Sequence, residues 1–220
     1  MYNFGKNICK RQLTICLVFL LLSSINAFSQ NEDSREYISF GFKAGINFSS
    51  IYNSHTENFH ARGKAGFAGG AFLYIPIAKY IGIQPEVLLS QRGFNSSGIY
   101  LLSSYELKRT LNYVDIPIFF AVKPIERLTI LFGPQYSFLM SQSNVFTNSS
   151  LNRFQEEQFK SEPVRHNIFC LTGGLDFNFN NVVFGLRTGW DVTHNRENSS
   201  SQTPRYKNIW LQASVGFRIY

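Results

Sequence analysis

The sequence predicts an all-β fold, an eight-stranded antiparallel transmembrane β-barrel with short periplasmic turns and longer extracellular loops, on three observations. Apolar and polar residues alternate with period two in eight segments, the mark of strands with two unlike faces. The connections between those segments alternate between short and long, as they do when every second turn lies on the same side of a membrane. Aromatics make up 16% of the 220 residues and charged residues only 16%, against ~25% charged in an average soluble domain. A surface of that composition meets something other than water.

The chain opens with Lys6, Lys10 and Arg11, runs through the apolar stretch LTICLVFLLLSSI (13–25), and reaches Ala27-Phe28-Ser29 before Gln30. Positive flank, apolar core and small residues at the end describe a secretory signal peptide over residues 1–29, followed by a barrel domain over 30–220. The apolar core is shorter than the ~20 residues of a spanning helix. Cys16 lies inside it rather than after a small residue at its end, so acylation is not expected. Removing residues 1–29 takes three of the 21 Lys and Arg and none of the 14 Asp and Glu, so the net charge falls from +7 to +4. That modest excess has no dense basic run, and no nucleic-acid partner is expected. Of three cysteines only Cys170 remains, which excludes an intramolecular disulfide.

The first strand, 37–51, sets Ile38, Phe40, Phe42, Ala44, Ile46 and Phe48 against Ser39, Gly41, Lys43, Gly45 and Asn47. The second, 64–78, gathers Phe67, Ala71, Leu73, Ile75 and Ile77 on one face. In the third, 80–94, Ile81, Ile83, Pro85, Val87 and Leu89 oppose Gln84, Glu86, Ser90 and Arg92. The fourth, 109–123, sets Val114, Ile116, Ile118, Phe120 and Val122 against Tyr113, Asp115 and Lys123. The fifth, 127–141, sets Leu128, Ile130, Phe132, Tyr136 and Phe138 against Arg127, Thr129 and Gln135. Three more follow at 166–179, 182–194 and 207–220, the last alternating without a break from Ile209 to Tyr220.

Long connections are expected at 52–63, 95–108, 142–165 and 194–206, and short ones at 79–80, 123–126 and 179–182. Each segment supplies the ~9–11 residues with which a tilted strand crosses a bilayer. Tyr80, Tyr100 and Trp190, near segment ends, suit the two membrane interfaces. Pro76, Pro85, Pro117 and Pro134 fall inside strands and are expected at bulges near the periplasmic rim, because a closed barrel has no edge where a missing N–H is harmless. The competing architecture, a soluble lipocalin-like barrel, would turn the apolar faces inward. Faces rich in Phe, Ile, Val and Leu opposite faces rich in small residues suit a narrow membrane barrel better.

The lumen-facing set is then Lys43, Gln84, Glu86, Arg92, Asp115, Gln135, Asp176, Arg187, Asp191 and Arg218, four acids with four bases. Eight strands enclose only enough space for side chains to fill, so these residues read as a structural plug. Glu86 and Arg92 lie roughly 20 Å apart along one strand and cannot pair, so Glu86 and Asp115 are expected to find bases on adjacent strands. No catalytic, cofactor-binding or metal role is assigned to any residue. His55, His60, His166 and His194 all fall in or beside the expected surface loops, and two loop histidines do not make the three or four converging ligands of a metal site. Phe146, Phe154 and Phe159 in the longest loop suit either packing on the rim or contact with a partner. A transport role would need an open interior of one charge sign, and a surface enzyme would need a convergent Ser, His and acid set.

Several phrases in fixed order carry a resemblance: FKAGINFSSI (42–51), IGIQPEVLLSQRGF (81–94), LNYVDIPIFFAVKP (111–124), ILFGPQYSFLMS (130–141) and LRTGWDVTHN (186–195). With their Gln84-Pro85-Glu86, Tyr113-x-Asp115-Ile116-Pro117 and Gly133-Pro134 motifs, they resemble the small PorT-like outer-membrane β-barrels of Bacteroidota. The resemblance spans residues 37–220, with Arg187-Thr188 standing where the family commonly has Arg-Tyr and Tyr220 where it ends in a Phe-like residue. It implies an outer-membrane location, with outer-membrane lipid and envelope or secretion-system proteins as partners, since one branch of the family is linked to assembly of a gliding-associated secretion system.

Overall fold

Period-two alternation gives every strand one apolar face, and closing the sheet turns all eight of those faces outward. The computed structural model describes residues 35–52, 60–100, 103–148, 165–193 and 207–220. They form β1 (Ser39–Tyr52), β2 (His60–Ala78), β3 (Ile81–Tyr100), β4 (Ser103–Ile125), β5 (Leu128–Asn148), β6 (Asn167–Phe179), β7 (Val182–Asp191) and β8 (Lys207–Ile219). Each strand pairs antiparallel with the next, and β1 pairs with β8 from Phe40↔Ile219 to Tyr52↔Lys207, which closes the barrel. Closure leaves no edge for another chain to join, the condition for β structure in hydrocarbon.

Phe42, Phe67, Leu89, Ile118, Phe132, Leu186 and Leu211 are all exposed on the outer face. A soluble monomer rarely shows a contiguous apolar patch beyond ~300–600 Å², whereas this band runs around the whole barrel. The inward-facing lipocalin alternative is thereby excluded. No helix among the described residues is long and apolar enough to cross a membrane.

The strands differ from the sequence expectation mainly at the loop end. The long connection expected at 95–108 is mostly strand, because β3 runs on to Tyr100 and β4 starts at Ser103, with Tyr100↔Ser103 as the last pair. β5 likewise continues to Asn148, and β2 begins at His60. Beyond the bilayer both faces of a strand meet water, so pairing persists after alternation has faded. The short turn expected at 123–126 shifts to 126–127, since Lys123 to Ile125 stay in β4, and β7 ends at Asp191 rather than 194. Residues 1–29, 149–164 and 194–206 lie outside the described residues, and with them the signal segment, His194, Phe154 and Phe159. His55 and the side chains of His60, Tyr100 and Phe146 lie outside them too.

The prolines need a correction. Only Pro76 adjoins a register shift, between Pro76 and Ala78. Pro85, Pro117 and Pro134 each lie where the ladder towards one neighbour skips two positions and resumes in the same register, as between Phe72↔Glu86 and Ile75↔Ile83. The missing N–H interrupts the ladder without inserting a residue, so no bulge is required.

Candidate functional site

The lumen holds the polar faces, and its side chains gather into two ionic clusters. Seven of the ten expected lumen residues are bound into them by ion pairs, and Gln84 and Gln135 by hydrogen bonds. The cluster nearer the short turns centres on Glu86 of β3. Lys43 Nζ of β1 lies 2.6 Å from Glu86 Oε1, Arg187 Nη2 of β7 lies 3.5 Å from the same oxygen, and Gln84 Nε2 donates to it at 2.8 Å. Arg187 Nη2 also donates to Asp176 Oδ2 at 2.9 Å, while Nη1 lies 2.8 Å from Oδ1 as an ion pair. Aromatic faces back the cations: Lys43 lies 5.2 Å from the Phe72 ring centroid and Arg187 5.3 Å from that of Phe119.

The loop-side cluster centres on Arg92. Its Nη2 is 2.5 Å from Asp115 Oδ2 on β4, and its Nη1 is 3.7 Å from Asp191 Oδ1 on β7. The guanidinium lies between Tyr113 and Trp210, 5.1 and 5.0 Å from their ring centroids. Neutral groups complete the shells of the acids. Ser90 Oγ donates to Asp115 at 2.5 Å, and Asn208 Nδ2 and Cys170 Sγ donate to Asp191 at 2.5 and 3.1 Å. Gln135 Nε2 donates at 3.0 Å to Ser137 Oγ, which accepts in turn from Arg92 Nη2 at 3.4 Å.

Glu86 departs from expectation in one respect. Its basic partners stand on β1 and β7, neither of which neighbours β3, because the barrel is narrow enough for long side chains to reach across the lumen. Asp115 does pair with the adjacent strand, through Arg92. Arg218 lies 5.6 Å above the Phe72 ring and leaves Nε and Nη2 without a partner among the described residues.

The described interior also contains Arg109 and Lys123, each 1% exposed, so six bases there face four acids. Strand parity carries both: Arg109 is two residues from Leu111 and Lys123 two from Ala121, all buried. The aromatic lining of Phe72, Tyr74, Tyr113, Phe119 and Trp210 is the other feature that charge-based reading passes over. Glu86, Arg92 and Arg187 are 1–2% exposed, so almost none of their surface is open to water.

Among the described residues catalytic groups do not converge: Cys170 and Ser137 are 3.6 Å apart beside Asp191, and the described histidine side chain, His166, is exposed and does not join them. Among the described residues no three His, Cys, Asp or Glu side chains are placed to hold a metal ion.

With a closed eight-stranded barrel and an ionic lumen on the page, one match decides the assignment: residues 28–195 match the family described as outer membrane protein beta-barrel domain. The chain belongs to that family. As an outer membrane β-barrel domain, it takes its place in the bacterial outer membrane. Solved structures similar to this outer membrane barrel include Ail, the attachment invasion locus protein of Yersinia pestis, at 13% identity over 83% of this chain and 99% of that one, with a TM-score of 0.43. The outer membrane protein OprG from Pseudomonas aeruginosa is 10% identical over 86% and 100%, with a TM-score of 0.45. Neisserial surface protein A is 11% identical over 83% and 99%, with a TM-score of 0.44. No curated protein matches the chain.

Proposed function

We propose that this outer membrane barrel is a non-enzymatic component that serves structure, interaction or secretion assembly, related to the PorT-like barrels of Bacteroidota and exported with loss of residues 1–29. One observation carries the non-conducting part of the reading: the lumen is filled by paired charges and aromatic rings, with Glu86 and Arg92 each held by groups from other strands. Opening a path would strip buried charges of their partners, which costs several kcal/mol per ion. The ordered phrases from Phe42 to Asn195 support the PorT-like part, and the polar loop end supports an outward role in contact with envelope proteins. The test is conductance in planar bilayers of the folded full chain. The expected trace is flat, and steady, sizeable conductance overturns the plug.

A second reading, a narrow conduit, is favoured by the surplus of bases in the described interior. It requires currents carried by anions in preference to cations, which a reversal-potential measurement in a salt gradient would show.

A further inference from the structure

Among the described residues, the wall made by β2 to β5 stands taller than the rest of the barrel, and its outer surface changes character in register rows. Leu89, Val114 and Phe138 pair across β3, β4 and β5 in one apolar row. The next row towards the loops is neutral and polar: Gln91 Nε2 donates to Asn112 Oδ1 at 3.0 Å, and Asn112 Nδ2 donates to Ser141 Oγ at 2.8 Å. Farther on, Arg62 pairs with Asn95 and Asn95 with Lys108, which sets two cations in one row two strand spacings, ~10 Å, apart. Arg109 turns inward over the Phe94 ring, so its neighbour Lys108 points outward, and Arg62 and Lys108 are both exposed.

Lys64 joins these two. Its stem lies across Gly93, which has no side chain to block it, and its ammonium reaches the Thr110 hydroxyl, with the Arg109 carbonyl 3.4 Å away. Lys108 acts on Lys64 as a repelling charge. Among the described side chains no acid stands between them. Like charges held together on a surface are favourable once an anion is shared between them, and a phosphate takes several N–H donors at once. The cations stand roughly 20 Å along the strands from the apolar row at Leu89, beyond the neutral polar row. An amphiphile lying on this wall would meet hydrocarbon, neutral polar and cationic surface in that order.

We propose that Arg62, Lys64 and Lys108 bind the phosphate of a phosphorylated membrane lipid, whose acyl chains lie against the apolar surface of the same wall. Thr110 and Asn95 supply neutral polar contacts beside the cations. The site is independent of whether the lumen conducts.

The test uses the full chain folded in phosphatidylcholine nanodiscs doped with phosphorylated lipid A, with native mass spectrometry reading the lipid retained on the protein. Phosphorylated lipid A is expected to be enriched over phosphatidylcholine, and retention is expected to fall about fivefold for each cation removed in the series R62Q, K64Q and K108Q. R127Q, at the opposite end of the barrel, leaves it unchanged. Folding of each variant is read from its heat-dependent gel shift. In the unaltered protein, retention falls as salt rises, because exposed charges are screened. Retention insensitive to both salt and the three substitutions overturns the proposal, as does equal retention of dephosphorylated lipid A. Displacement of the lipid by inorganic phosphate at matched concentration would make this a free-phosphate site and overturn the lipid assignment.

Discussion

The two lumen clusters hold similar residues in different ways. On the turn side, two cations and two anions share their contacts: Glu86 has Lys43 and Arg187, and Arg187 has Glu86 and Asp176. On the loop side, Arg92 alone stands between Asp115 and Asp191, and neutral donors from Ser90, Asn208 and Cys170 make up the difference. The first cluster is redundant and the second depends on a hub. Redundancy means that losing Lys43 leaves Glu86 and Asp176 both held by Arg187, whereas losing the hub leaves two buried carboxylates with no cation between them.

That contrast sets an order of effects, each read as the urea midpoint of the folded fraction followed by gel shift in lipid vesicles. Arg92→Leu is expected to cost most, about 3–5 kcal/mol, the range for removing one partner of a buried pair. Lys43→Met leaves Glu86 with Arg187 and Gln84, and is expected to cost about 1–3 kcal/mol. If the two substitutions cost the same, the distinction between hub and redundant cluster is lost. Cys170→Ala removes one weak donor from Asp191, which keeps Asn208 and Arg92, and is expected to change stability by less than about 1 kcal/mol. A larger loss would show that the thiol, rather than Asn208, holds Asp191 in place.

Most of the fold was legible because one physical constraint acts on every residue of a spanning strand. Lipid on one side and a narrow lumen on the other force the period of two, as at Val114 to Val122 and Ile209 to Ile219. The constraint ends where the bilayer ends, which is why Asn95 to Tyr100 read as loop although their backbone stays paired with β4. Parity likewise places Glu86 in the lumen but says nothing of which strand answers it. Lys43 and Arg187 become its partners only through curvature and stagger, which bring β1 and β7 opposite β3. The prolines depart from expectation for a related reason: a two-position lapse in the ladder leaves the parity of both strands untouched, so Pro85, Pro117 and Pro134 carry no signal that separates it from a bulge.

The seam between β1 and β8 joins segments separated by nearly the whole described chain. Until Lys207–Ile219 is in place, β1 carries a row of backbone groups that hydrocarbon cannot satisfy. Unless another surface covers that row, β1 cannot enter lipid ahead of β8. Of all the strand pairings, this seam is the one that closes the longest stretch of chain, and so carries the largest loop-closure entropy.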